Sequence, residues 1–203
     1  MKIRYLLTLL LLFGPLPHAA AVGVESDLQS MLDRRSKAIR EGDRTTFMDT
    51  VLDGDKGFLE AQRQLFERMG ALAIEGYRLV LTLDDVPEFT RKKDRELFKG
   101  EVVVVGVEER FRFKGLDVEE RINDIIYTFV KSDGRWRIAS DTAAEDLGLY
   151  SSRNLWELGP VVVRESQHFA LIHHPQEAAL AEGFLATAEQ ALVQANKVWL
   201  RPW

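Results

Sequence analysis

Along this chain the spacing of hydrophobic residues changes twice. From Leu28 to Met69 they recur every three or four positions, from Tyr77 to Ile138 mostly every second position, and beyond Pro175 at helical spacing again. The longest period-2 stretch is GEVVVVGVEERFRFKGLDVEERINDIIYTFVKSDGRWRIASD, residues 100–141, and it predicts three antiparallel strands. Gly115-Leu116, glycine first, suits a two-residue type II′ turn, and Asp133-Gly134 suits type I′. Val103, Val105, Val107, Phe111 and Phe113 share one face of the first strand, with Arg110, Arg112 and Lys114 opposite. Glu109 falls on the apolar face. Either a bulge at Glu108-Glu109 turns it outward, or a carboxylate points into the concave side of the sheet. The second strand is apolar on both faces, Ile122, Ile126 and Val130 against Ile125, Tyr127 and Phe129, as a central strand covered on both sides should be. Trp136 and Ile138 continue one face of the third.

Three short amphipathic helices are predicted ahead of these strands. Ser26-Asp27-Leu28-Gln29 reads as a capping box opening the first, which carries Leu28, Met31, Leu32, Ala38 and Ile39 and stops at Gly42. Asp43 caps a second, with Phe47, Met48 and Val51 on one side. Asp55 caps a third, whose stripe of Phe58, Leu65, Phe66 and Met69 is interrupted by Gln62. A first strand then places Tyr77, Leu79, Leu81 and Leu83 on one face, and Asp84–Lys99, with Pro87 and a mixed charge run, reads as a solvated loop. Helices first and an antiparallel meander after them give an α+β fold, with the helices closing one face of a curved sheet.

After Asp141 the pattern thins. Residues 142–154 read as a linker, Val161–Arg164 and Phe169–His173 as a strand pair, and Pro175 as the first turn of a long helix striped by Leu180, Phe184, Ala188, Ala191, Leu192, Ala195, Val198 and Trp199. A hairpin and one helix bury little core alone, so this unit reads as unfinished.

Composition narrows the function classes. A net charge of −5 without a basic cluster gives no footprint for nucleic acid. The absence of cysteine excludes disulfides, thiolate metal sites and a lipidated cysteine anchor. Lys2 and Arg4, the apolar run Tyr5–Phe13, the breakers Gly14, Pro15 and Pro17, and Ala19-Ala20-Ala21 form a signal peptide over residues 1–21, which implies export to the cell envelope or beyond. Membrane attachment would come only through that segment left uncleaved. Adjacent histidines on a strand point to opposite faces, so His173 and His174 should not converge on one ion; one packed ring and one exposed ring are expected. No G-x-S-x-G elbow or glycine-rich phosphate loop occurs.

Two family resemblances are carried by particular motifs. The element order, LDRRSKAIREGDRTTFMDTV and the closing DGRWRIASD resemble the NTF2-like (SnoaL-like, cystatin-type cone) superfamily over Asp27–Asp141, which places that domain at about residues 25–141. Tryptophan, glutamate, then Gly-Pro-Val-Val-Val-Arg, a strand ending in His-Pro, and a helix closing on a V-W-x-x-x-W pattern resemble the start of a peptidase-MA-like (gluzincin) domain. Residues 155–203 would supply its first two strands and helix, without the H-E-x-x-H zinc motif. The resemblance implies an exported, non-catalytic accessory module of a metallopeptidase-like protein. It also implies that zinc and chemistry lie downstream, and that the partner is the missing peptidase domain or a second copy docked through the sheet. The alternative is a small-molecule binder, or a lyase or isomerase, working in the cone pocket. Glu109, Tyr127 and Asp141 are the candidate polar groups for that site.

Overall fold

The computed structural model describes residues 18–82, 98 and 100–199. The expected signal segment therefore falls largely outside the described residues, as do Leu83 and, apart from Phe98, the expected loop at 84–99. The chain forms helices α1 (His18–Glu41), α2 (Arg44–Asp49) and α3 (Lys56–Gly70), then strands β1 (Ile74–Thr82), β2 (Glu101–Phe113), β3 (Arg121–Ser132) and β4 (Arg135–Ser140). Next come a four-residue helix α4 (Leu155–Leu158), a hairpin of β5 (Val162–Glu165) and β6 (Ala170–His173), and the long α5 (Ala178–Val198). The four-stranded sheet has the order β1-β2-β3-β4 with every pair antiparallel, and β5-β6 is a separate sheet. The architecture is α+β.

The first helix differs from expectation at its start. It runs unbroken from His18 through the Ser26 position, because Ala19–Ala21 are strong helix formers and no proline interrupts the helix after Pro17. Gln29 is thereby freed from any capping role. Its amide donates to Leu79 O and its oxygen accepts from Leu81 N, each at 2.9 Å. Ser36 Oγ accepts from Leu79 N at 3.0 Å, and Arg40 donates to Tyr77 O. Three residues of α1 thus cover the open edge of β1 with side-chain hydrogen bonds, and the edge is no longer a template for further pairing. The free edge of β4 is closed by the chain after α2, where Leu52 N donates to Ile138 O and Ile138 N to Thr50 O, both 2.8 Å. The caps at Asp43 and Asp55 are as expected, accepting from Thr46 N and from Gly57 N and Phe58 N.

The core lies between α1–α3 and the inner sheet face, built from Leu28, Leu32, Leu79, Val107, Phe111, Phe129 and Ile138. A smaller cluster of Val102, Val130 and Ala139 under Leu52 and Phe98 buries part of the outer face. Among the described residues, one arginine is fully buried. Arg35, 1% exposed, donates to Thr50 Oγ1 and to Gln62 Oε1, and stacks 3.7 Å over the Phe47 ring. Gln62, which interrupts the stripe of α3, is the acceptor that this guanidinium requires.

The sheet departs from expectation at two places that bear on Glu109. The bulge is in β1 and not at Glu108-Glu109. Glu75 pairs with Arg112 and Arg78 with Arg110, so Gly76 and Tyr77 together oppose Phe111, with Gly76 in the left-handed region at φ 66°. Strand β2 keeps strict alternation through Glu109, paired throughout with β3. The β2–β3 register is also one residue away from what a two-residue turn at Gly115-Leu116 would give. Asp117 accepts from Phe113 N and pairs with Arg121, which lengthens the connection. The observed register places Asn123 opposite Glu109, where the shorter turn would have placed Ile122. The second turn is as expected, with Asp133 at φ 52° and Gly134 at φ 72°.

In the tail, α5 packs against β6, and Ala181, Leu185, Ala188, Leu192 and Ala195 make up its less exposed face. The stripe expected from sequence mixes this face with a second one. Leu180, Phe184 and Val198 lie outside the less exposed face and are 74%, 62% and 79% exposed, with Leu180 and Phe184 lining a shallow cleft against Leu171, Ile172 and His173. His173 is buried, with Nδ1 against His174 O, while the His174 ring reaches Pro160 O.

Candidate functional site

Strict alternation along β2 carries Glu109 inward, and it ends 3% exposed among Val107, Phe111 and Tyr127 on the inner face. A bare carboxylate there would be prohibitively costly; it persists because donors converge on it. The β1 bulge turns Tyr77 inward, and its hydroxyl donates to Glu109 Oε1 at 2.8 Å. The β2–β3 register supplies Asn123, whose Nδ2 donates to Glu109 Oε2 at 3.1 Å and to Asn154 Oδ1 at 2.8 Å. Asn154 itself donates to Glu109 Oε2 at 2.7 Å from 45 positions away.

Residues after Asp141 make this possible. Ser151 Oγ donates to Asp141 O and accepts from Ile126 N, and Ser152 N donates to Asp124 O, so the segment lies along the part of β3 that β4 leaves unpaired. A capping box of Asn154 and Glu157 then starts α4, with Glu157 Oε1 accepting from Asn154 N. The Asn154 side-chain amide meanwhile donates to Glu109. Trp156 is driven inward against the edges of Phe111 and Phe113, with ring centroids 5.6 and 5.9 Å away. Arg68 of α3 grips the far end of α4 through Trp156 O and Glu157 O, at 3.0 and 3.1 Å.

The electrostatics assign roles. Burial, reinforced by the Glu109 charge, holds the Tyr77 phenol well above its usual range, which makes it a donor and not a base. Burial also pushes Tyr127 far up, with Arg35 opposing and Glu109 adding to the push. Glu157 is raised by its own burial first and by the charge of Glu109, against the pull of Arg153. Arg153 bridges Asp141 at 2.6 Å and Glu157 at 3.2 Å.

Of the three candidates from sequence, Glu109 anchors the cluster, Tyr127 packs beside it with an edge contact to Phe129, and Asp141 is engaged by Arg153 at the margin. Tyr77, Asn123, Asn154 and Trp156 complete the site without having been candidates. The one local signal for them is the N-x-x-E spacing at Asn154–Glu157. Both oxygens of Glu109 are engaged, Oε1 by Tyr77 and Oε2 by Asn123 and Asn154. Among the described residues no group of three or more His, Asp or Glu side chains is placed to hold a metal ion. In the tail, Ser166, His168 and Glu189 meet, but Ser166 and His168 both bond to Glu189, at 2.6 and 2.7 Å, so the hydroxyl is not activated by the ring.

No family model matches the chain, and no curated protein does. Among solved structures, Rv3472, a protein of unknown function from Mycobacterium tuberculosis, is similar with a TM-score of 0.41 at 15% identity, covering 62% of this chain and 74% of its own. The intermembrane space region of the chloroplast protein ARC6 is similar with a TM-score of 0.36 at 17% identity, covering 63% and 95%.

Proposed function

We propose that the chain is an exported, non-catalytic accessory module: an NTF2-like domain whose inner face is closed by its own continuation, joined to the opening elements of a peptidase-MA-like domain. The observation that carries this reading is the engagement of Glu109. Its carboxylate is held by Tyr77, Asn123 and Asn154, and Trp156 occupies the apolar space beside it. A side chain so used anchors the tail to the sheet. The exposed Leu180, Phe184 and Val198 on α5 suit the early elements of a larger core. In this role the module fixes the position of the peptidase-like part, and the zinc chemistry belongs to that part.

The buried Tyr77–Glu109 pair favours one second reading, a small-molecule binder or a lyase or isomerase acting in the same space. A thermal-shift screen separates the two. The accessory reading expects no small molecule to stabilise the wild-type chain while leaving Glu109→Gln unmoved; such a compound would establish the second reading. Sequencing the reading frame past codon 203 tests the peptidase link, which falls if a stop codon stands there and no H-E-x-x-H lies downstream.

A further inference from the structure

Residues 151–157 sit on the first domain as a bound peptide sits on its receptor. They use the unpaired edge of β3 at Asp124 and Ile126, an amide anchor on Glu109, an aromatic anchor against Phe111 and Phe113, and a guanidinium clamp from Arg68. Edge bonds that give affinity, with pockets that select side chains, are how extended peptides are recognised.

Two features weaken the occupant without weakening the seat. Trp156 is 4% exposed, yet its Nε1 has no hydrogen-bond partner among the described residues. A buried N–H left unpaired costs part of what the indole gains by burial. Glu157 meanwhile brings a carboxylate into partial burial and into the field of Glu109, and its pKa is raised first by that burial and then by the Glu109 charge.

We propose that this seat is a peptide-recognition site, filled in the resting chain by residues 151–157 and open, when they withdraw, to an outside peptide carrying a carboxamide two residues before an aromatic ring. A second copy of this chain presents one such segment, Asn154-Leu155-Trp156. Withdrawal breaks the Glu109–Asn154 bond and lifts Trp156 from the Phe111–Phe113 edge, and the incoming peptide restores both. The seat is built by the first domain alone and works in the same way whether or not a peptidase domain is attached.

The test uses the full chain with Asn154→Ala and Trp156→Ala together, which removes both anchors and leaves Glu109, Asn123, Phe111, Phe113 and Arg68 in place. The probe is a fluorescein-labelled peptide of residues 149–159, monitored by anisotropy. The variant should bind it saturably. The wild-type chain should bind at least about tenfold more weakly, because its own segment competes at high effective concentration. Adding Glu109→Leu to the variant should weaken binding by roughly tenfold to a hundredfold. A variant with wild-type far-ultraviolet circular dichroism that ignores the peptide overturns the proposal, as does binding that is indifferent to Glu109→Leu. If the variant does not fold, hydrogen exchange on the unaltered chain decides: the hydrogen-bonded amides of Ser152, Asn154 and Glu157 should exchange well before those of β2 and β3, and exchange together with those strands refutes a separable occupant.

Discussion

At the scale of single residues, two buried charges organise the interior, and each is tolerated because of a particular set of neighbours. Glu109 offers two oxygens to three donors, so replacing it by glutamine leaves amide hydrogens facing amide hydrogens. We expect Glu109→Gln to cost about 1–3 kcal/mol in urea denaturation, the usual penalty for stranding buried donors. The Glu109→Gln and Asn154→Ala changes should not add; a double-mutant cycle should return a coupling of roughly 0.5–3 kcal/mol, and strict additivity would mean that the bond between them contributes nothing. Arg35 is the complementary case, a cation held by neutral partners: Thr50, Gln62 and the face of Phe47. Arg35→Met alone strands Gln62, whereas Arg35→Met with Gln62→Leu removes both polar groups. The double variant should be the more stable of the two in the same denaturation assay, because well-packed apolar replacements of a buried polar pair are often neutral or better.

At the scale of elements, the strands and helices are more legible in the sequence than their alignment. Alternation places Val103 to Phe113 on one face correctly, and Asp133-Gly134 names its turn. The position of the bulge is hidden because both locations satisfy the same two-residue period. A bulge at Glu108-Glu109 would avoid the buried carboxylate, while the one at Gly76-Tyr77 accommodates it by delivering a hydroxyl. The β2–β3 register is hidden for a similar reason. Asp117 bonds Phe113 N and Arg121, and that local gain outweighs the compact turn at Gly115-Leu116. A one-residue change in register then decides whether asparagine or isoleucine faces Glu109. Asn154 is illegible because its partner lies 45 positions away; only the start of α4 has a local signature.

Helix α4 also has a pH dependence whose sign can be worked out. Glu157 is raised above its ordinary 4.5 in the folded chain. A group raised on folding lends stability below its unfolded pKa and loses it as pH climbs through the folded value, so at neutral pH ionised Glu157 works against the seated segment despite Arg153. Glu157→Gln should therefore shift the urea midpoint upward at pH 7, and the difference should shrink toward pH 4. The clamp on the β5–β6 turn has the opposite sign. Hydrogen bonds from Ser166 and His168 lower Glu189 to about 2, so its contribution is present above the ordinary carboxylate range and fades as pH falls toward 2. The protection factor of the His168 amide, which donates to Glu189 at 2.8 Å, should fall over that interval in the wild-type chain and be low throughout in Glu189→Gln.

At the scale of the whole molecule, the unit of α1–α3 and the four-stranded sheet is closed in a way the tail is not. The edges of the four-stranded sheet are closed by α1 side chains on one side and by residues 50–52 on the other, whereas α5 leaves Leu180, Phe184 and Val198 largely exposed beside the face it buries. The helical stripe visible in the sequence merges the two sets because both recur at the same spacing, and only packing separates them. The separation is measurable. Leu185 is buried against the hairpin, and Leu185→Ala should loosen the tail by about 2–4 kcal/mol, seen as faster exchange across β5, β6 and α5. Phe184, one position earlier and 62% exposed, should tolerate lysine with a change within about 0.5 kcal/mol. If Phe184→Lys loosens the tail as much as Leu185→Ala does, the outward face is already covered in solution, and the helix is buried on both sides.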